Sequence, residues 1–395
     1  MVVRTPQQFK EKQDIEVKTE HRVTKIDPKA KKVEVVNLSK SETQWFPYDK
    51  LIIATGARSR RLNIPGSNAP NIFTLKDLQD GIRIRNYIDE KMPKSVAVLG
   101  SGFIALEMCE AFRLRNLDTF VICRKSLPAG NLEGEISEKI LKELQENEVH
   151  FLTQHEPVAF QLNSNNEVSS LETNKGTYPA DMILMAVGVI PNVEIAKDAN
   201  IEIGRTGAIK TDFTQMTNLM NVYAAGDCCE VFNLVSEDWI HTPLGDIANK
   251  QGRVAGENAA GGKTTFSGVV GSAAFKVFEL EVAFTGLGIQ TARQYGFDVD
   301  SQVIEAESKV GYMPGAKPIL IKLIFERKNG RLLGAQMIGK EGVARRINAL
   351  AVALHQKMTI DEISRLDFAY APPFSAPFDP ILIAAEQAAK KIKME

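Results

Sequence analysis

The sequence predicts an α/β fold with a parallel sheet, followed by a C-terminal α+β module. Strand and helix patterns alternate between residues 95 and 192, and a glycine-rich turn joins the first of those strands to its helix. A hairpin signal, Asn329-Gly330, lies in the last third of the chain. Because 395 residues are too many for one core of ordinary size, we expect two or three domains.

The N-terminal part predicts a short helix and a small β-meander. Thr5-Pro6 is a favourable helix start, and a strand-like IEVKT follows it. VTKID, KKVEVVN and DKLIIATG predict three strands, separated by the turn-prone Asp27-Pro28 and Ser39-Lys40-Ser41. The third of these strands is expected to be buried and to stop at Thr55-Gly56.

The remaining elements are predicted from periodicity. Residues 95–192 predict strand, helix, strand, helix and then several strands, which implies a parallel sheet with crossover helices. NVYAAGD predicts a strand, and GDIANKQGRVAGENAA predicts the helix after it. The C-terminal part predicts the hairpin PILIKLIFERKNGRLLGAQMIG, a helix over VARRINALAVALHQ, and a second helix that opens with a capping box at Thr359 and Glu362.

Composition excludes several classes of protein. The formal net charge is -1 and no predicted helix carries a dense block of Lys and Arg, so nucleic-acid binding is not expected. The chain shows no signal-peptide pattern and no run of the ~20 apolar residues that a bilayer crossing needs. The four cysteines, Cys109, Cys123, Cys228 and Cys229, match neither a disulfide framework nor a zinc site. We therefore expect a cytoplasmic enzyme without a metal.

The strongest local motif is VAVLGSGFIALE, which carries the G-x-G-x-x-G/A pattern in Gly100, Gly102 and Ala105. It follows a predicted strand and opens a predicted helix, the setting in which this pattern binds a dinucleotide. Gly100 would permit the tight turn, Gly102 would let the backbone approach a pyrophosphate, and Ala105 would allow close packing of helix on strand. The alternative, a glycine-rich turn without a ligand, is disfavoured by this setting.

The end of the next strand bears on which dinucleotide binds. An acidic residue there would accept hydrogen bonds from the ribose of NAD, but the sequence reads Cys123-Arg124-Lys125-Ser126. A cation such as Arg124 suits a 2′-phosphate and favours NADPH over NADH. A solvated basic pair at the strand end is the competing interpretation.

Several segments in order resemble the pyridine nucleotide-disulfide oxidoreductases: DKLIIATGA, the glycine motif, MAVGVIPN and TNLMNVYAAGDCCEV. The narrower resemblance is to the branch of coenzyme A disulfide reductases, NADH oxidases and persulfide reductases. It rests on ANKQGRVAGENAAG, KVFELEVAFTGL, KVGYMPGA, GKEGVARRI and FAYAPPFSAPFDP. The resemblance covers nearly the whole chain.

The resemblance implies a split FAD domain, here incomplete, with an inserted Rossmann-like NAD(P) domain and an α+β dimerisation domain. It implies that residues 1–93 are the remainder of the first part of the FAD domain and 201–262 its second part, with 94–200 binding NAD(P) and 263–395 forming a homodimer. FAD and NADPH or NADH are the implied cofactors. The residues implied to bind them are Thr55, Gly56, Gly100, Gly102, Phe103, Ile104, Glu107, Arg124, Gly188, Asp227 and Asn249.

Within that set, the resemblance gives some residues a particular role. Glu107 would lie by the nicotinamide, Asn249 near the isoalloxazine, and Asp227 on the ribityl or pyrophosphate part of FAD. A carboxylate after a parallel strand can accept from hydroxyl groups there, although a turn or capping aspartate is the alternative for Asp227. Cys228 is not the redox cysteine in this context, and Cys228-Cys229 reads as two ordinary thiols rather than a redox centre.

Tyr312 and Tyr370 match two tyrosines of the coenzyme A disulfide reductases. In those proteins each tyrosine reaches from one subunit toward the thiol site of the other. A phenol can donate a proton to a leaving thiolate without carrying charge at neutral pH. Interface aromatics without a chemical role are the alternative. The five histidines show no pairing with a nucleophile and are expected to be structural.

The sequence also departs from the family pattern. A first glycine motif for FAD and the reactive cysteine that follows it are absent, and the alignment suggests that the chain is truncated at its N-terminus. Gln13 and Phe378 stand where coenzyme A-specific members usually carry basic residues. The resemblance therefore implies FAD-dependent reduction of a small disulfide, such as coenzyme A disulfide, by NAD(P)H. The alternatives are an NADH oxidase, a persulfide reductase, or a non-catalytic nucleotide-binding dimer or truncated product that lacks the FAD motif and the redox cysteine.

Overall fold

The computed structural model describes residues 4–394. The elements of its first half are α1 (Pro6–Gln13), β1 (His21–Asp27), β2 (Lys32–Asn37), β3 (Glu42–Pro47), β4 (Leu51–Ile53), β5 (Ala57–Ser59), β6 (Ile72–Thr74), α2 (Leu78–Lys91), β7 (Ser95–Leu99), α3 (Phe103–Arg113), β8 (Asp118–Cys123), α4 (Gly134–Glu146), β9 (Val149–Thr153), β10 (Pro157–Leu162), β11 (Val168–Thr173), β12 (Gly176–Pro179), β13 (Met182–Met185) and β14 (Val189–Pro191).

The elements of the second half are α5 (Glu194–Asp198), β15 (Val222–Ala224), β16 (Val231–Asn233), β17 (Asp238–Ile240), α6 (Gly245–Ala259), β18 (Ala273–Val277), β19 (Leu280–Gly286), α7 (Ile289–Gln294), β20 (Val299–Glu307), β21 (Pro318–Glu326), β22 (Leu332–Gly339), α8 (Val343–His355), α9 (Ile360–Ile363) and α10 (Pro380–Met394).

The chain divides into two units, and each is built from separated stretches of sequence. The first unit contains the residues up to Ala57, Pro191–Phe232 and Trp239–Gly268. The second contains Arg58–Ile190, Asn233–Asp238 and the residues from Val269 onwards. The chain therefore leaves the first unit three times, at Arg58, Asn233 and Val269, and returns to it twice.

The second unit holds the predicted parallel sheet, in the strand order β6-β13-β7-β8-β9. All five residues of β7 are buried, because both faces of the sheet are covered. Val96 and Val98 pack with helices α3 and α4, whereas Ala97 and Leu99 face the antiparallel meander β10-β11-β12. The predicted alternation of strands and helices between residues 95 and 192 is confirmed.

The same apolar core continues into the C-terminal sheet, whose order is β18-β19-β22-β21-β20. Phe112 of α3 and Ile140 of α4 share this core with Phe275 and Val277 of β18 and with Ile338 of β22. The other face of the C-terminal sheet packs on helices α8 and α10. The nucleotide-motif sheet and the C-terminal sheet are thus held in one unit by shared packing.

The predicted C-terminal hairpin is confirmed as β21 and β22, but its loop is longer than two residues. Leu332 pairs with Phe325, and the register shifts next to it. Residues 327–331 form the connection, in which Gly330 N donates to Glu326 O at 2.8 Å. Helix α8 and the capping box between Thr359 and Glu362 are also as predicted.

In the first unit, the predicted meander is confirmed in part. Its strands are β1, β2 and β3, so the third strand of the meander is Glu42–Pro47 and not the predicted DKLIIATG. Leu51–Ile53 instead pairs in parallel with β15, which lies about 170 residues later. Periodicity could not indicate β3, because five of its six residues are exposed. The strand-like IEVKT forms no strand, and Ile15 and Val17 are exposed.

Among the described residues, no helix combines the length and the apolar character needed to cross a bilayer.

The shared core predicts which residues of α3 determine stability. Replacing the fully buried Phe112 by alanine should lower the free energy of unfolding by about 3–5 kcal/mol, because it leaves a cavity between helix and sheet. The same truncation at Leu114, which is 76% exposed, should change it by less than about 0.5 kcal/mol. Urea unfolding of both variants measures the difference, and equal losses would contradict the assignment of this core.

Candidate functional site

The glycine motif forms a tight turn between β7 and α3. Gly100 has φ +104°, and a Cβ there would lie 2.4 Å from the carbonyl oxygen of Ala186, which follows β13. Gly102 is the N-cap of α3 and makes no side-chain capping hydrogen bond. A Cβ on Gly102 would meet no described atom within 4 Å. The turn therefore presents the first N–H groups of α3 to an open surface, which fits the pyrophosphate of a dinucleotide.

The first turns of α3 carry three further predicted residues. Phe103 is half-buried and its ring stacks on Phe275, with centroids 4.5 Å apart. Ile104 and Glu107 are exposed, so both are free to contact a ligand lying along the helix. The fully buried Ala105 lies on the opposite face of α3, in the core beneath the sheet.

The ends of β8 and β13 bring two more predicted residues to the same edge of the sheet as the glycine turn. Arg124 follows β8 and its side chain is exposed. Lys125 turns back, and its Nζ donates to Gly130 O at 2.8 Å. Gly188 follows β13, is exposed, and has no described atom within 4 Å of a Cβ position. Because the carboxyl ends of parallel strands meet at one edge, these residues surround one crevice.

In the first unit, Thr55 and Gly56 follow β4 and are held by Asn192. The hydroxyl of Thr55 donates to Asn192 O at 2.6 Å, and Asn192 Nδ2 donates to Thr55 O at 2.9 Å. Asn192 N donates to Gly56 O, also at 2.9 Å. The predicted pair is therefore a rigid turn rather than a free loop.

Asp227 follows β15, the strand paired with β4, so it lies at the same edge of the two-stranded sheet as Thr55. The loop on either side of Asp227 is fastened by two side chains. His241 Nε2 lies 2.8 Å from Asp227 O, and the buried Gln251 accepts from Gly226 N and donates to Glu230 O. Asn249 is exposed on α6, two residues before Gln251. A half-buried carboxylate in so fixed a loop fits the hydroxyl groups of a flavin nucleotide.

The four cysteines are buried and reduced. Sγ of Cys228 lies 3.7 Å from Sγ of Cys229. The hydrogen bond from Cys229 lowers the pKa of Cys228 against the opposing effect of burial. Hydrogen bonds from the hydroxyl of Thr55 and from the backbone N–H groups of Gly56 and Thr55 lower it further. The pKa of Cys229 is raised by burial and by its neighbour. Burial also raises the pKa of Cys109, to about 12.

The two predicted tyrosines lie on separate segments of the second unit, and both are exposed. Tyr312 is in the connection between β20 and β21, and Tyr370 is in the segment before α10. Arg346 of α8 fastens both segments, since its Nη2 donates to Ser308 O at 2.8 Å and to Phe374 O at 3.3 Å. Its Nε donates to the buried Asp379 at 2.8 Å.

Sequence reasoning missed the residues that support these sites: Asn192, His241, Gln251 and Arg346. Each contacts backbone atoms far away in sequence, so local patterns carry no sign of the partner. His241 was expected to be structural. Its hydrogen bond to the backbone of Asp227 shows which loop it supports.

Comparison with known proteins identifies related chains over nearly the whole length. Residues 3–242 match the family described as pyridine nucleotide-disulphide oxidoreductase, and residues 272–379 match its dimerisation domain. An NADH oxidase of Methanocaldococcus jannaschii is 34% identical, with 99% of this chain and 87% of that protein covered. A coenzyme A disulfide reductase of Staphylococcus haemolyticus is 32% identical, with 95% and 83% covered.

A solved structure has the same fold. The structure of an NAD-dependent persulfide reductase from A. fulgidus superposes with a TM-score of 0.95 and 37% sequence identity. The match covers 99% of this chain and 72% of that one.

Arg346 is expected to be critical for the segments that carry the tyrosines. Replacing Arg346 by methionine leaves Asp379 buried without its cation and should lower the free energy of unfolding by on the order of 3 kcal/mol. Replacing the exposed Arg345 by methionine should have an effect below about 0.5 kcal/mol. Urea unfolding tests both, and hydrogen exchange should show faster exchange around Tyr312 and Tyr370 in the Arg346 variant alone.

Cys228 is expected to titrate below an ordinary thiol, whose pKa is about 8.5. Below its pKa the Cys228 thiol is protonated. Thiolate absorbance in the ultraviolet should therefore rise as the pH increases through the lowered pKa of Cys228. The Cys228→Ser variant should lose this step, whereas Cys109→Ser should keep it because the pKa of Cys109 is about 12. A step that persists in the Cys228 variant would refute the assignment.

Proposed function

The chain belongs to the pyridine nucleotide-disulphide oxidoreductase family and is an FAD- and NAD(P)H-dependent oxidoreductase, and we propose that it reduces a small-molecule disulfide of the coenzyme A disulfide class. The observation that carries this proposal is the open glycine turn before α3, combined with relatives that are named coenzyme A disulfide reductase, persulfide reductase and NADH oxidase. The domain boundaries implied by the resemblance belong to the same proposal.

In this proposal FAD, when bound, would supply the redox chemistry between NAD(P)H and the acceptor. The chain's own residues bind and orient the two nucleotides. The turn at Gly100–Gly102 holds the pyrophosphate of NAD(P)H through backbone N–H groups, and Glu107 lies toward the nicotinamide. Asp227 accepts from hydroxyl groups of FAD, and Thr55-Gly56 lines the same edge of β4 and β15.

We further propose that NADPH is preferred over NADH. Arg124 is exposed at the end of β8, where the ribose of the bound nucleotide lies in folds of this type. A guanidinium can bind a 2′-phosphate through two hydrogen bonds. No carboxylate stands within Arg124–Ser126 to accept from an unmodified ribose.

The C-terminal sheet and helices are proposed to form a homodimer. Residues 272–379 match a dimerisation domain, and the segments that carry the tyrosines expose four aromatic side chains: Tyr312, Tyr370, Phe374 and Phe378. Burying such side chains against a second copy would remove a large apolar area from water. Tyr312 and Tyr370 would then donate protons to leaving thiolates in the partner's site.

The cysteines favour a second candidate, a dinucleotide-binding dimer without disulfide turnover. Disulfide exchange needs an accessible thiolate, and the exposed fraction of each of the four cysteines is at most 4%. None of them is therefore placed to attack a bulky disulfide from solvent.

The test is NAD(P)H oxidation by the purified protein with coenzyme A disulfide, a small persulfide and oxygen as separate acceptors. We expect flavin absorbance, a dimer by light scattering, and the fastest rate with coenzyme A disulfide and NADPH. Colourless protein that still binds NADPH would establish the second candidate. Rates equal to buffer with all three acceptors, in flavin-loaded protein, would refute disulfide reduction.

The role of the tyrosines has its own control within that assay. The Tyr312→Phe and Tyr370→Phe variants should each lower the rate with the disulfide about tenfold or more, because general acid catalysis contributes on the order of 10²–10⁴. The Tyr295→Phe variant changes another exposed phenol, after α7, and should keep the rate. Unchanged rates in all three variants would leave the phenols as interface aromatics.

A further inference from the structure

The segment between β8 and α4, residues 124–132, forms a loop beside the glycine turn, here called the specificity loop. Ala129 is 99% buried in this loop and has φ +46°, a conformation that alanine rarely adopts. Its backbone N–H donates to Ser101 O at 2.9 Å, between the two glycines of the turn. A strained, buried residue persists only where its surroundings determine its conformation, so the loop is held in one position.

Glu133 holds the C-terminal end of the specificity loop by three contacts. Its backbone N donates to Gln336 Oε1 at 2.7 Å, and its own Oε1 accepts from Ile289 N at 2.9 Å. Its Oε2 lies 3.2 Å from Nζ of Lys322. All three partners belong to the C-terminal part of the same unit, on β22, α7 and β21.

Lys322 is unusual because it is buried in the middle of the strand PILIKLIFE, in which every other residue before the terminal Glu326 is apolar. It neutralises two carboxylates at once, since Nζ also lies 2.9 Å from Oε2 of Glu135 in the first turn of α4. Burial would raise the pKa of Glu135, but the hydrogen bond and charge of Lys322 outweigh it and lower that pKa. Without Lys322, the largely buried carboxylate of Glu133 would lose its cation and would be repelled by the carboxylate of Glu135.

We propose that Lys322 is a positioning residue for dinucleotide specificity: through Glu133 it fixes the specificity loop, and with it Arg124, at the distance that the adenosine 2′-phosphate requires. The C-terminal sheet would thus determine how strongly the nucleotide module distinguishes NADPH from NADH. This inference rests on the proposed nucleotide site and adds a residue to it. Lys322 does not contact the glycine turn, and the loop joins that turn at Ala129 rather than at Glu133, so the 2′-phosphate should sense the change more strongly than the 5′-phosphate.

The test is titration calorimetry of the whole protein with two probes, 2′,5′-ADP and 5′-AMP. In the Lys322→Met variant the Kd for 2′,5′-ADP should rise about tenfold, which corresponds to about 1.4 kcal/mol, while the Kd for 5′-AMP should change less than about twofold. Should this variant fail to fold, Glu133→Gln removes the same ion pair with little change of shape and should give the same ratio.

The matched control is Lys139→Met. Lys139 pairs with Glu305 at 2.7 Å and joins the same α4 to the C-terminal sheet, but the pair is exposed and lies away from the loop. In the Lys139→Met variant, the ratio of the Kd for 2′,5′-ADP to the Kd for 5′-AMP should match the ratio in the unaltered protein. An unaltered protein that binds neither probe would refute the nucleotide site itself. Normal binding with equal ratios in all variants would refute the role of Lys322 alone.

Discussion

The packing of α3 and α4 on the C-terminal sheet is the interaction on which the proposed nucleotide site depends. Both helices bury an apolar face in a core that also contains Phe275 and Val277 of β18. α3 begins at the glycine turn, and α4 begins at the end of the specificity loop. Because protein cores are close-packed, this contact fixes the start of each helix and so the width of the crevice between them.

Polar groups add directional contacts where apolar packing cannot provide them. Asn192 fastens Thr55 and Gly56, and Gln251 fastens the loop around Asp227. Arg346 performs the same role for the two tyrosine segments. These side chains are buried or half-buried and bond mainly to backbone atoms, which allows the loops to keep functional side chains exposed without becoming mobile.

The elements that the sequence predicted well are those whose signals are local. The strand, glycine turn and helix from Ser95 to Arg113 follow from periodicity and from the needs of a tight turn. The third strand of the first meander was misplaced, because Leu51–Ile53 finds its partner in β15, far along the chain. The hairpin at Asn329-Gly330 was predicted correctly, but the bulge near Phe325 lengthened its loop.

Local patterns were enough to predict the fold class, the order of most elements, the turn at Gly100 and Gly102, and the family that the comparisons then supported. Only the tertiary structure decided that Lys322 meets Glu133, that Gln251 meets Gly226, and that all four cysteines lie inside. The physical reason is the distance along the sequence over which each feature is determined. Turns and helix starts depend on neighbours within a few residues, whereas buried polar partners are chosen by packing between elements that lie well apart in the sequence.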